Sequence, residues 1–254
     1  MHGNAAVCEG DDRPATAMHG LRTSENPSPC ETCPVRAKSF CRVLIGGSAH
    51  GRALTQHHET AARREILFEP DRLRENVYVI CDGWAFRFRR FEDGRRYILN
   101  FLTAGDVVYG EFSESPGFSL QALTDIRYCQ FVRAEVKPCI LGQPRNYDAW
   151  MAACIAERNE LAATAAALAQ LSAAERIARL ILHLRDRLDA HEMVHNESCV
   201  FPLRQTHIAD ATGLTTVHVS RTLSAFRKDG VLAIDDGKFT ILNLAKLRRM
   251  VERK

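Results

Sequence analysis

A chain of 254 residues with 46% hydrophobic and 26% charged residues has the composition of one or two folded domains and excludes a mainly disordered polymer. It has no run approaching the roughly 20 apolar residues of a membrane helix and no secretory signal in MHGNAAVCEGDDRPATAMHG, so a cytoplasmic protein is expected, its nine cysteines thiols or metal ligands rather than disulfides. The net charge of +3 is unevenly spread: residues 203–254 hold ten Lys/Arg against five Asp/Glu, as a polyanion-binding module or a solvated basic surface would.

Residues 1–29 are small and polar, with Pro14, Pro27 and Pro29, and read as a flexible tail. Residues 30–50 form a cysteine-rich arm, opening with Cys30-Glu-Thr-Cys33-Pro-Val-Arg-Ala-Lys-Ser-Phe-Cys41. From 51 to 145 the chain reads as a sensor domain of short strands. Asn76-Val-Tyr-Val-Ile-Cys81 ends at Asp82-Gly83, Trp84-Ala-Phe-Arg-Phe-Arg89 stops at Asp93-Gly94, and Tyr97-Ile-Leu-Asn-Phe-Leu102 stops at Gly105. Such runs, joined by Asp-Gly turns, predict a small β-barrel or β-roll. His57 and His58 lie in a polar, linker-like stretch and receive no catalytic role, while Cys81, Cys139, Cys154 and Cys199 read as ordinary buried thiols.

Residues 146–172 are rich in Ala, Leu and Glu without Gly or Pro, which predicts a long helix. Met151, Arg158, Ala165 and Ser172 share one heptad position; Cys154, Leu161 and Leu168 share the other. This spacing predicts a short coiled-coil seam for a homodimer, the other reading being an amphipathic helix packed on its own barrel. Arg158 either opposes pairing across a two-fold axis or is offset by Glu157 or Glu160 across that axis. Ser172-Ala-Ala-Glu175 is a capping box that opens a further helix over 176–188 and marks the start of a domain at 173–254.

Residues 204–242 carry the most specific pattern. A short helix over 206–211 is closed by Gly213; Leu214-Thr215 makes the turn, with Thr215 capping a second helix, Thr216–Lys228. That helix is expected to bury Val219, Leu223 and Phe226 and to present His218, Ser220 and Arg221. It stops at Asp229-Gly230, and Asp236-Gly237 then joins two β-like runs into a wing. Helix, turn, helix and wing predict a winged helix-turn-helix whose second helix enters the major groove of double-stranded DNA; a protein-contact role is the other reading. Arg221 can bond guanine bidentately and Ser220 a base or phosphate, while the helix N-terminus at Thr215 and Thr216 favours phosphate.

Gly213-Leu-Thr-Thr-Val-His-Val-Ser-Arg-Thr-Leu223, following a β-roll and a long helix, resembles the Crp/Fnr superfamily of bacterial transcription regulators. The resemblance runs from about Cys30 to Leu242. It implies an α+β fold: an N-terminal cyclic-nucleotide-binding-like β-roll, a long dimerisation helix and a C-terminal winged helix-turn-helix. It also implies a palindromic operator and a contact with RNA polymerase. The Ser-Arg of the Fnr-like Glu-x-x-Ser-Arg motif carries over as Ser220 and Arg221, but Val217 stands in place of the glutamate. Valine can touch a thymine methyl but cannot accept a bond from cytosine; His218 could supply a neighbouring polar contact.

The superfamily's cyclic-AMP branch places a cation after a Gly-Glu pair. Here Gly110-Glu111 is followed through Gln121 by no Arg or Lys, so no cyclic nucleotide is expected. By resemblance to the Fnr-like branch, Cys30, Cys33, Cys41 and the distant Cys129 would hold an oxygen-labile [4Fe–4S] cluster. The spacing of the second and third ligands is wider than in enteric members and similar to that of α-proteobacterial relatives. Two other readings of the cysteines stay open: a structural zinc site, and a redox dithiol or unliganded remnant. An oxygen- or redox-responsive regulator is thus expected, rather than an iron-sulfur or dithiol enzyme, since no thioredoxin-like βαβ pattern, phosphate-cradling loop or Ser/His/Asp constellation is evident.

Overall fold

The structure, a computed structural model, describes residues 33, 35–36, 39–46, 54–68, 76–109, 117–190, 198–235 and 238–252. In chain order the elements begin with α1 (Cys41–Gly46), then β1 (Gln56–Ala61), β2 (Ile66–Phe68), β3 (Asn76–Asp82), β4 (Ala85–Arg90), β5 (Arg96–Leu102), β6 (Val107–Tyr109), β7 (Ser119–Ala122) and β8 (Ile126–Val132). Helices α2 (Arg133–Leu141), α3 (Pro144–Gln170) and α4 (Ala173–Ala190) follow. The chain continues with β9 (Ser198–Val200), α5 (Gln205–Thr212), α6 (Thr216–Lys228), β10 (Leu232–Asp235), β11 (Lys238–Ile241) and α7 (Leu244–Val251). This is the expected fold class: a β-roll, a long helix and a C-terminal helix-turn-helix with a wing.

The roll consists of two antiparallel four-stranded sheets, ordered β1-β8-β3-β6 and β2-β7-β4-β5. Between them Tyr78, Ile80, Leu102, Val108, Leu120 and Ile126 form the interior. Period-two alternation sends Val77 and Val79 of β3 to the opposite face, and that face is covered as well. There α1, α2 and the start of α3 pack Leu44, Val136, Ile140 and Trp150 against Val77, Val79, Cys129 and Phe131. Burial on both faces explains why β3 reads as a nearly continuous apolar run.

The second sheet turns Phe86, Phe88, Ile98 and Phe101 outward into one core with Ile177, Ile181 and Leu184 of α4 and Val219, Leu223 and Phe226 of α6. The β-roll and the helix-turn-helix half therefore share a packed joint. Arg96 of β5 directs Nε and Nη2 to Asp210 Oδ2 of α5, at 2.9 and 2.7 Å. Arg187 of α4 donates to the Phe101 carbonyl at 2.7 Å and pairs with Asp106. The ring of His207 lies 5.7 Å from that of Phe86.

Helix α3 begins at Pro144, earlier than its Ala-rich stretch suggests, because proline suits a first helical position. An ion pair ties Glu157 of α3 to the buried Arg87 of the roll, which also donates to Asn100 Oδ1 at 2.8 Å. The Ser172 capping box forms, with Ser172 N donating to Glu175 Oε2 at 2.7 Å. His57 and His58 belong to β1 rather than to a linker.

Candidate DNA interface and thiol cluster

Helix α5 ends where Gly213 takes φ 65°, a left-handed turn that a side chain would strain. Thr215 then caps α6, its Oγ1 accepting from His218 N at 3.3 Å. Val219, Leu223 and Phe226, spaced by four and three, are buried and fix the helix on α4 and α5. The opposite face carries Thr216, Val217, His218 and Arg221, all exposed, with Ser220 half-buried beside them. His218 is turned back on the cap, its Nδ1 3.1 Å from Thr215 Oγ1, and Val217 stands 56% exposed as the foremost apolar group. The free N–H groups of this N-terminus, Arg221 and the basic last turn at Arg227 and Lys228 make a surface suited to phosphate and base edges.

Two neighbouring elements were not read from the sequence. Strand β9 adds to the wing, pairing with β11. Helix α7 packs on α4 with Leu247 fully buried and Asn243 accepting from Lys246 N at 2.8 Å. The Asn cap followed by Leu244, Leu247 and Val251 was the available signal for α7. Asp236 and Gly237 of the wing turn lie outside the described residues.

His207 sits at the joint between the halves, its Nδ1 accepting from Arg204 N at 3.1 Å. Burial, helped by the charges of Arg96 and Arg204, lowers its pKa to about 4. It is neutral at pH 7.

The predicted seam on α3 divides by exposure. Met151, Arg158, Leu161 and Ala165 are exposed, whereas Cys154 and Leu168 are half-buried. Cys154 packs beside the core under the arm, and Leu168 lies against Gly213, where an added Cβ would stand 3.3 Å from Leu168 Cδ2. Tyr147 and Ile155 join Met151 and Leu161 as exposed apolar groups. Glu157 and Glu160 are engaged within the chain, Glu157 by Arg87 and Glu160 by Arg179 and His183. Both carboxylates therefore already have partners within the chain.

On the covered face of the first sheet, sulfur atoms gather. Cys129 of β8 is buried; β1 sets His58 directly opposite it in register, with Nδ1 3.4 Å from its Sγ. Gln56 Nε2 reaches the same sulfur at 3.8 Å and His58 Nε2 at 2.8 Å. Cys81 Sγ lies 3.2 Å from Cys129 Sγ on the other side. The Cys129 hydrogen bond, aided by Cys33 and the charge of Arg127, holds the Cys81 thiol below its ordinary value against the opposing effect of burial. Cys41, first residue of α1, is buried in the same core as Cys129, and the ring of Phe40 beside it packs at a tilt against Trp150 of α3, with centroids 5.3 Å apart.

Of the four expected ligands, Cys33, Cys41 and Cys129 thus gather on this face, and Cys30 lies outside the described residues. A thiol-only donor set suits iron-sulfur chemistry. Among the described residues, no three His, Cys, Asp or Glu side chains already stand as a metal-holding group. Cys81 and His58 are additions that sequence reading assigned to packing and to a linker. Gly110, Glu111 and Glu114, on which the cyclic-nucleotide expectation turned, lie outside the described residues.

Residues 175–250 match the Crp-like helix-turn-helix domain. The C-terminal part of the chain is thus a Crp-like helix-turn-helix domain. Over 221 residues the chain is 26% identical to the nitrogen fixation regulation protein FixK of Bradyrhizobium diazoefficiens, spanning 87% of this chain and 93% of the relative. It is 28% identical over 249 residues to the transcriptional activatory protein AadR of Rhodopseudomonas palustris, at 91% and 98% coverage. The fold is shared with FixK2 from Bradyrhizobium japonicum, with TM-score 0.73 and 22% identity over 79% of this chain and all of that one. No helix among the described residues is long and apolar enough to cross a membrane.

Proposed function

We propose that this chain is a homodimeric Crp/Fnr regulator that binds a palindromic operator through α6 and responds to oxygen or redox state through a [4Fe–4S] cluster held by Cys30, Cys33, Cys41 and Cys129. The observation that carries the sensor reading is the shared core of the thiols and α3: Cys41 and Cys129 pack with Trp150, and Cys154 lies against them. When bound, the cluster supplies iron–thiolate bonds that oxygen can break. The arm residues then act mechanically. Phe40 on Trp150 couples the position of the arm to the start of α3, where Tyr147, Met151 and Ile155 expose an apolar stripe that a second copy would cover. Pairing α3 with α3 would set two α6 helices about one DNA turn, roughly 34 Å, apart.

A structural zinc site is the second reading, favoured by His58 beside Cys129, since zinc accepts mixed Cys/His donors. One preparation separates the two. Protein purified under nitrogen is expected to be brown with about four irons per chain, bleaching in air as operator affinity falls. Colourless protein containing zinc establishes the second reading, and metal-free colourless protein overturns both.

A further inference from the structure

We propose that Cys81 and Cys129 form a reversible dithiol–disulfide pair, giving Cys129 a second chemical fate besides metal ligation. The pair itself stands without the cluster; its regulatory consequence rests on the reading that Cys129 is a cluster ligand.

The backbone explains the meeting. Cys129 faces Val79 in the β3–β8 ladder, so Cys81, two residues on, would be its diagonal neighbour in a regular sheet. Diagonal neighbours stand about 7–8 Å apart, beyond the usual Cα span of a disulfide. The register shifts between Ile80 and Asp82, leaving Cys81 as the extra residue of a bulge. A bulge sharpens the local twist and re-aims its side chain. Here the result is a sulfur–sulfur separation of 3.2 Å. A bond of about 2.05 Å then needs an approach of little more than 1 Å. From the β1 side, His58 and Gln56 hold the Cys129 sulfur in position towards Cys81.

Exposure orders the reaction. Cys81 is half-buried and Cys129 is buried at 2% exposure, so a small peroxide meets Cys81 first. The Cys81 sulfur attacks one peroxide oxygen; the O–O bond breaks, giving a sulfenic acid and one water that takes the thiol proton. The Cys129 sulfur then attacks the sulfenyl sulfur; the S–S bond forms, the S–O bond breaks, and the hydroxyl departs with the second thiol proton as water. Two electrons pass from the sulfurs to hydrogen peroxide. A small-molecule dithiol reverses the bond by exchange. While the bond lasts, Cys129 is no thiolate and cannot hold iron, so the chain keeps a record of oxidation after any cluster is gone.

The test uses the full chain, freed of metal by chelation under nitrogen, treated with stoichiometric hydrogen peroxide and alkylated before unreduced tryptic digestion. Peptides 75–87 and 128–133, which contain Cys81 and Cys129, are expected joined in most chains, two hydrogens lighter than their sum, and separated by dithiothreitol. Recovery of the two as separate alkylated or over-oxidised peptides, or of Cys33 joined to either, overturns the proposal. Cys81→Ser purified under nitrogen should keep the wild-type metal content and give no joined peptide; loss of metal in that variant would make Cys81 a ligand and overturn the proposal too. The two readings fail separately. A wild-type chain without iron removes the cluster while the joined peptides still decide the pair, and unjoined peptides in an iron-loaded chain remove the pair alone.

Discussion

The recognition helix and the thiol cluster are built in opposite ways. From Thr215 to Arg221 the groups proposed to face DNA lie within seven residues, set by a cap and by buried residues of the same helix. The thiol cluster instead takes His58, Cys81 and Cys129 from three strands, with Cys33 and Cys41 arriving from the arm. A contiguous site inherits its geometry from local hydrogen bonding. An assembled one depends on every contact that sets strand register.

Removing the packing beneath the sulfurs should break the comparison hardest. Phe131 is fully buried two residues from Cys129, and Phe131→Ala should cost about 3–5 kcal/mol in denaturant unfolding and lower metal content. Wild-type metal content in a folded Phe131→Ala chain would show that the thiols are placed independently of the sheet. Arg221→Ala is the converse. Its side chain is exposed, so operator affinity at fixed salt should fall roughly 5- to 150-fold, for a base contact worth about 1–3 kcal/mol, with the unfolding midpoint unchanged. A change in midpoint without a change in affinity, read by titration of labelled operator, would remove Arg221 from the interface.

The smallest effect concerns the joint between the two regions. The folded pKa of His207, about 4, lies below its unfolded value near 6.5, so the unfolded chain binds more protons in that interval. Stability is therefore fully present above pH 6.5 and is lost as pH falls towards 4. Because His207 is partly solvated, the loss should be on the order of 1 kcal/mol. His183, also held down first by burial, adds in the same direction. His207→Gln should flatten the dependence of the unfolding midpoint between pH 7 and 5, relative to wild type; an unaltered slope would place the titration elsewhere.

Much of the fold was legible. Asp-Gly turns bounded β3, β4 and β5 within a residue or two, and the Ser172 capping box and the Gly213–Thr215 turn fell where the sequence put them. Helix α2 escaped notice because it is short and contains Pro138, and β9 because three residues carry no period. On α3, heptad spacing brought Cys154 and Leu168 to the seam, yet the neighbouring roll and helix-turn-helix half-bury them, while Tyr147 and Ile155 stay exposed. Period alone cannot say which neighbour claims a helical face.

From its sequence alone the chain determined the recognition helix, since a cap, a left-handed glycine and buried positions spaced by three and four are interactions between residues a few places apart. Only the tertiary structure decided that Cys81 touches Cys129, that His58 stands across from it, and that His207 is wedged against Phe86. Those meetings depend on a bulge, a register and a domain joint, each fixed by the packing of segments tens of residues apart.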